Sequence, residues 1–318
     1  MELIKIALLL IGGGVTLSYG AHFFVQSASR IAHWFGIPTL IIGLTIVAFG
    51  TSAPELAVNI MAVLKGNNDL AMGNVVGSNI FNLAFILGLC ALIRPLTTSS
   101  QLIKIDFPIL VIISFVLWWF NQDLFISKTE SLLLILGLFL YTSLQLYLAF
   151  KNKNAHNEPV QVVEKSHPLK EGLIITLGLL ALMIGAKFFV DGAVLGARLL
   201  GLSEAIIGLT IIAAGTSLPE LATSAAATLK GEREIAIGNV IGSNLFNILG
   251  VIGFSGALSL HQLPVNKHMA QIDTMVMVGI TLLCLPFLFF KAELNRLAGG
   301  LLFASWFIYT GYLIFYFA

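Results

Sequence analysis

Charge is what this chain has least of. Of its 318 residues, 10% are Asp, Glu, Lys or Arg, whereas 58% are hydrophobic. Soluble domains carry roughly 25% charged residues and about 45–50% apolar ones. A water-soluble fold of this composition would lack the polar surface to cover its core, so the chain belongs in a bilayer. The formal net charge of +1 gives no field that would draw in nucleic acid or another polyanion. The two cysteines, Cys90 and Cys284, lie in apolar surroundings without metal-ligand spacing. No nucleophile–base pairing, phosphate loop or dinucleotide fingerprint is present, which argues against an enzyme and implies no cofactor. Nothing in the sequence implies a protein partner; the partners it calls for are the lipid bilayer and small cations. The first residues lack a basic n-region and their apolar run continues too long for a signal peptide, so they read as a first spanning helix.

Gly, Pro and charged residues punctuate the chain into about ten segments long enough to span, at about 20 apolar residues each. They fall near 3–33, 39–64, 69–94, 105–121, 128–150, 170–199, 204–229, 234–259, 270–290 and 296–317. The first and sixth are long and must tilt. The polar stretch at 151–169 divides the spans five and five, giving halves at 1–150 and 170–318.

The halves are copies. Residues 35–88 align without gaps to 200–253 at an offset of 165, with roughly half the positions identical. The first copy contains IIGLTIVAFGTSAPELA and GNVVGSNIFN; the second contains IIGLTIIAAGTSLPELA and GNVIGSNLFN. Five spans per copy is an odd number, so the second must enter the membrane from the opposite side. The expected fold is therefore an all-α membrane protein with ten helices in two inverted-topology repeats, an arrangement whose substrate site lies where the repeats meet. Lys and Arg are richer on the side of the central linker, which places that linker in the cytoplasm and both termini outside.

Glu55 and Glu220 fall inside apolar segments, where an ionised carboxylate costs roughly 3 kcal/mol on insertion scales. Pro54 and Pro219 precede them. Each removes a helical amide, and with Gly50 and Gly215 the backbone is expected to unwind and free carbonyls at Ala48–Gly50 and Ala213–Gly215. Thr51, Ser52, Thr216 and Ser217 add hydroxyls beside the carboxylates. On the next helix of each copy, Asn74, Ser78 and Asn82 share one face at i, i+4 and i+8, as do Asn239, Ser243 and Asn247. Ser78, Asn82, Ser243 and Asn247 are expected at the site, with Asn74 and Asn239 as packing contacts. Gly73, Gly77, Gly238 and Gly242 form surfaces for close helix packing.

An oxygen-only donor set with neither His nor Cys points to hard ions such as Ca²⁺ or Na⁺ rather than zinc or copper. Two carboxylates neutralise one divalent ion or two monovalent ones, and the empty, doubly charged site is costly to move. That is the logic of antiport. Protons can neutralise the pair too, so Na⁺/Ca²⁺ exchange, H⁺/divalent exchange and a cation channel all stand on the residues alone. Asp106 and Asp273 are expected to anchor helix N-termini, and His33, His156, His167, His261 and His268 to be solvated.

At these motifs the chain resembles the calcium/cation antiporter superfamily, in particular its prokaryotic sodium/calcium exchangers. The resemblance implies Na⁺/Ca²⁺ antiport by alternating access in a prokaryotic cytoplasmic membrane, with the two long helices sliding against the other eight. It assigns ion ligation to Glu55, Glu220, Thr51, Thr216, Ser52, Ser217, Ser78, Ser243, Asn82, Asn247, Ala48 and Ala213. Gly-Thr-Ser-x-Pro-Glu favours sodium over proton coupling. One departure is Asn247, where such exchangers often carry Asp.

Overall fold

The computed structural model describes residues 2–152, 167–201, 211, 213–291 and 293–317. Its helices in chain order are α1 (Glu2–Phe35), α2 (Thr39–Thr51), α3 (Ala53–Leu64), α4 (Asn68–Ile93), α5 (Leu102–Asp123), α6 (Lys128–Lys151), α7 (Pro168–Leu199), α8 (Ala213–Gly215), α9 (Leu218–Lys230), α10 (Arg233–Leu258), α11 (Met269–Phe289) and α12 (Arg296–Tyr316). Among the described residues eight helices are long and apolar enough to cross a membrane, and α2 with α3 makes a ninth span bent by 42°. The span expected at 204–229 is represented by α8 and α9; its first residues, most of the linker at 151–169 and His156 lie outside the described residues.

Burial sorts the helices. α10 is enclosed along its whole apolar length and α4 along most of it, whereas α1, α7 and α12 leave most of theirs uncovered. Leu3, Leu8, Ile11 and Val15 on α1 are exposed and form an apolar face of the kind a membrane-spanning helix presents.

The two long helices cross where glycines allow it. A Cβ on Gly13 would lie 2.8 Å from the Gly185 carbonyl, and one on Gly20 would lie 3.1 Å from that of Gly178. Each pair joins one repeat to the other, and the offset of 165 exchanges the two pairs. A local twofold axis therefore passes between α1 and α7. Two short strand clips obey the same symmetry: Leu96–Thr97 pairs with Glu293–Leu294, and Phe125–Ile126 with Leu263–Pro264.

Close packing holds as expected at Gly238 and Gly242. Their Cβ positions would meet the α2 carbonyls of Leu40 and Leu44 at 2.9 and 2.6 Å. Among the described residues the expected close packing is not seen at Gly73 or Gly77: a Cβ on Gly73 would meet Met269 Cε at 3.5 Å, and one on Gly77 would meet nothing within 4 Å.

Wide π-helical turns recur in both repeats, at Phe81–Ile86 and Asn247–Ile252 and again at Leu102–Asp106 and Met269–Asp273. Such turns concentrate at functional sites. The second pair corrects the expectation for the two aspartates. The helices begin before Asp106 and Asp273, so neither side chain caps an N-terminus. Asp106 instead accepts from Tyr141 (3.1 Å), Gln145 (2.6 Å) and Gln101 (3.2 Å). Asp273 accepts from the Tyr309 hydroxyl (2.9 Å) and faces His268 Nδ1 at 3.0 Å. His268 is therefore not solvated as expected: it is half-buried, bonded on both ring nitrogens and stacked on Tyr312.

Candidate functional site

The bend between α2 and α3 falls at Ser52, whose φ of −88° and ψ of 3° leave the helical region. Pro54 then occupies the first turn of α3, where α3 itself has no use for the missing N–H. Ser217 (φ −90°, ψ 8°) and Pro219 repeat this at α9. Both glutamates thus sit in the first turn of a helix, the end at which the helix dipole favours negative charge.

This geometry corrects the expected unwinding at 48–50. α2 stays helical to Thr51, and the Ala48 carbonyl accepts the Ser52 amide at 3.0 Å and the Thr51 hydroxyl at 3.3 Å. The physical reason is the i→i+4 count. Pro54 deprives only Gly50 of its donor, whereas the partner of Ala48 is Ser52, which keeps its N–H. Ala213 likewise lies in the helical turn α8.

Ala48, Thr51, Ser52, Glu55, Ser78, Asn82, Ser217, Glu220, Ser243 and Asn247 are all buried, most of them completely, and Thr216 is half-buried. The contacts that gather them run from one repeat to the other. The Ser52 hydroxyl donates to Glu220 Oε1 at 2.8 Å, and the Ser217 hydroxyl to Glu55 Oε1 at 3.3 Å. The Thr51 hydroxyl donates to Asn239 Oδ1 at 3.1 Å and lies 3.5 Å from Ser243 Oγ. The Thr216 hydroxyl donates to Asn74 Oδ1 at 3.0 Å. Asn74 and Asn239 are the expected interhelical links, and they do more than pack: each holds the threonine of the opposite motif. Asn74 is itself tied to Asn59, and Asn239 to Ser224.

Two contributors were missed in the sequence. Asn79 Oδ1 accepts from Asn247 Nδ2 at 3.1 Å, and Asn244 Oδ1 accepts from Asn82 Nδ2 at 3.0 Å. Both fall in the duplicated Gly-Ser-Asn and share the offset of 165; that repetition was the available signal.

After these bonds are drawn, Glu55 Oε2, Glu220 Oε2, Asn82 Oδ1, Asn247 Oδ1 and Ser78 Oγ remain buried with no hydrogen-bond partner among the described residues. A buried polar atom left unpaired costs about 1–3 kcal/mol, more when charged. Five such oxygens in one pair of crossed motifs, each with a lone pair to offer, suit a hard cation. No cluster of three or more His, Cys, Asp or Glu capable of holding a metal occurs among the described residues. Carboxylate, amide and hydroxyl oxygens are suited to an ion that binds and leaves.

Comparison with known proteins covers nearly the whole chain. A family model described as sodium/calcium exchanger protein matches residues 5–147 and again 171–315. The chain is 38% identical over 313 residues to a putative antiporter, CaxA, of Alkalimonas amylolytica, covering 95% of this chain and 96% of that protein. It is 34% identical over 332 residues to the sodium/calcium exchanger MaX1 of Methanosarcina acetivorans, covering 93% and 94%. Among solved structures, the sodium-calcium exchanger NCX_Mj superposes with a TM-score of 0.83 at 30% identity, covering 97% and 98% of the two chains.

Proposed function

This chain belongs to the sodium/calcium exchanger protein family, and from that premise we propose how its own residues exchange Na⁺ for Ca²⁺ across a membrane. The observation that carries the reading is the set of unpartnered buried oxygens on Glu55, Glu220, Asn82, Asn247 and Ser78. Glu55 and Glu220 supply the charge that Ca²⁺, or Na⁺ ions in its place, neutralises. Ser52, Ser217, Thr51, Thr216 and Ser243 add hydroxyl or backbone oxygens, and the carbonyls of Ala48 and Ala213 complete the set. The single Thr51 hydroxyl proton, when given to Asn239 Oδ1, leaves the Ala48 carbonyl with the Ser52 amide alone and a second lone pair free to contribute.

Access alternates by movement of α1 with α7. The two repeats are unequal in this structure. α1 packs along α9, and Ala222 and Ala226 are half-buried beside it. The equivalent face of α3 is not covered by α7: Val58 is 36% exposed and Met61 56%. Closed at α9 and open at α3, the carrier faces the side on which α3 ends. With the Lys- and Arg-rich linker in the cytoplasm, that side is the exterior. The linker at 151–169 then joins two halves, 1–150 and 170–318, in the cytoplasmic membrane of a prokaryote, with both termini outside.

Purified protein in sealed vesicles tests the exchange. Ca²⁺ uptake should follow an outward Na⁺ gradient and stop when Na⁺ is replaced by a large organic cation. Uptake driven by a proton gradient and indifferent to Na⁺ would overturn sodium coupling.

A further inference from the structure

We infer that Asn79 and Asn244 are positioning residues whose fixed amides force the side chains of Asn247 and Asn82 to present oxygen, not nitrogen, to the ions; the inference rests on the ion site proposed above. An asparagine amide has an oxygen end and an NH₂ end of nearly equal shape, and only its hydrogen bonds decide which way it points. At a cation site the choice is decisive, because the wrong end directs two polarised hydrogens at the ion.

In this protein the choice is anchored to the backbone. Asn79 Nδ2 lies 3.3 Å from the main-chain carbonyl of Asn244 and 3.7 Å from the Met277 sulfur. A carbonyl oxygen can only accept, so the nitrogen end of Asn79 must face it. Asn79 Oδ1 consequently points the other way, where it accepts the NH₂ of Asn247 at 3.1 Å. With its nitrogen held there, Asn247 has only Oδ1 left for the site, and that atom has no protein partner among the described residues.

The second repeat arrives at the same result through its own bonds. Asn244 Nδ2 donates to the Asn79 carbonyl at 3.3 Å, and Asn244 Oδ1 takes the NH₂ of Asn82 at 3.0 Å. Asn82 Oδ1 is again left unpartnered and buried. The four asparagines form a closed clasp between α4 and α10, and each main-chain carbonyl fixes one orientation two steps away. Residues 79 and 244 need touch no ion to set the chemistry of those that do.

The clasp has a specific test, because aspartate has an oxygen at both ends and cannot be turned the wrong way. Ca²⁺ and Na⁺ binding is measured by calorimetry on purified full-length protein that elutes as a single folded species. Asn79→Ala should weaken binding about tenfold, the effect of losing one interaction of about 1.4 kcal/mol. In an Asn247→Asp background the same Asn79→Ala change should cost less than about twofold, since an oxygen faces the ion whichever way residue 247 turns. A merely structural role for Asn79 predicts equal losses in both backgrounds, and that result would overturn the inference, as would unchanged affinity in Asn79→Ala alone. Should Asn79→Ala fail to fold, Asn244→Ala with and without Asn82→Asp makes the same comparison in the other repeat. Glu220→Gln separates the two levels of argument. If it binds Ca²⁺ like the parent protein, the ion site itself is misplaced; if it loses binding while the losses are equal in both backgrounds, only the clasp is refuted.

Discussion

Replacing Glu220 by glutamine removes one charge and almost nothing else. The Ser52 hydroxyl, now 2.8 Å from Glu220 Oε1, can donate equally to an amide oxygen, so the helix break and the inter-repeat contact survive. The electrostatics do not. With both carboxylates ionised, bound Ca²⁺ makes a neutral site; with one, the loaded site carries a net positive charge inside the bilayer. A single charge at the centre of a membrane helix costs roughly 3 kcal/mol on insertion scales, and about 1.4 kcal/mol corresponds to tenfold. Ca²⁺ flux through Glu220→Gln should fall by about 100-fold on that scale. The assay is ⁴⁵Ca²⁺ uptake into sodium-loaded vesicles, with elution profile and thermal unfolding confirming that the protein is folded. Glu55→Gln should behave alike, because the symmetry gives both carboxylates the same charge and one unpartnered oxygen each. Near-normal flux in either folded variant would refute the carboxylate-pair model.

Other perturbations address the framework. Cys90 and Cys284 are buried, so an introduced thiol reports alone: Met61→Cys should react quickly with a bulky polar maleimide, and Ala226→Cys slowly. Equal rates would contradict closure at α9. Gly185→Leu forces a side chain into backbone already 2.7 Å from the Cβ position at Leu17 N; overpacking of this kind costs typically 1–3 kcal/mol. Flux should be lost while equilibrium Ca²⁺ binding remains, and normal flux would show that the crossing need not be tight. Lys128 donates to the carbonyls of Gly256, Ala257 and Ser259 at the end of α10. Lys128→Met should lower the unfolding temperature by leaving those carbonyls uncapped, at about 1.5–3 kcal/mol per charged hydrogen bond as an upper bound; an unchanged melting curve would count against the cap.

The spans were legible because hydropathy and punctuation are local. The nine spans with both ends described, α2 with α3 counted as one, start and stop within a few residues of where Gly, Pro and charge place them. The two glutamates were legible for a different reason, since a charge in an apolar run is costly wherever it occurs. What escaped the sequence depends on contacts between repeats. Asn79 looked like one more polar residue on α4 until the Asn244 carbonyl appeared beside it, 165 positions away. The aspartates at 106 and 273 were misread because the helices begin upstream of them, so each aspartate lies within a wide π turn and not at a helix start. The break at Ser52 needed only the i→i+4 count, which assigns the lost bond to Gly50 and leaves Ala48 paired. The unequal covering of α3 and α9 has no trace in two nearly identical motifs.

The crossing of α1 with α7 bears on leakage. Gly13 against Gly185 and Gly20 against Gly178 bring the two backbones together on either side of the local axis. Leu17, Phe24 and Leu182 pack tightly around these glycine contacts, so in the proposed exchange the pair would move as a single beam on a pivot. Lowering one end over α9 raises the other from α3. Two doors hung on separate hinges can stand open together and short-circuit the ion gradient. Two doors fixed to the ends of one beam cannot, and the glycines are what make the beam one piece.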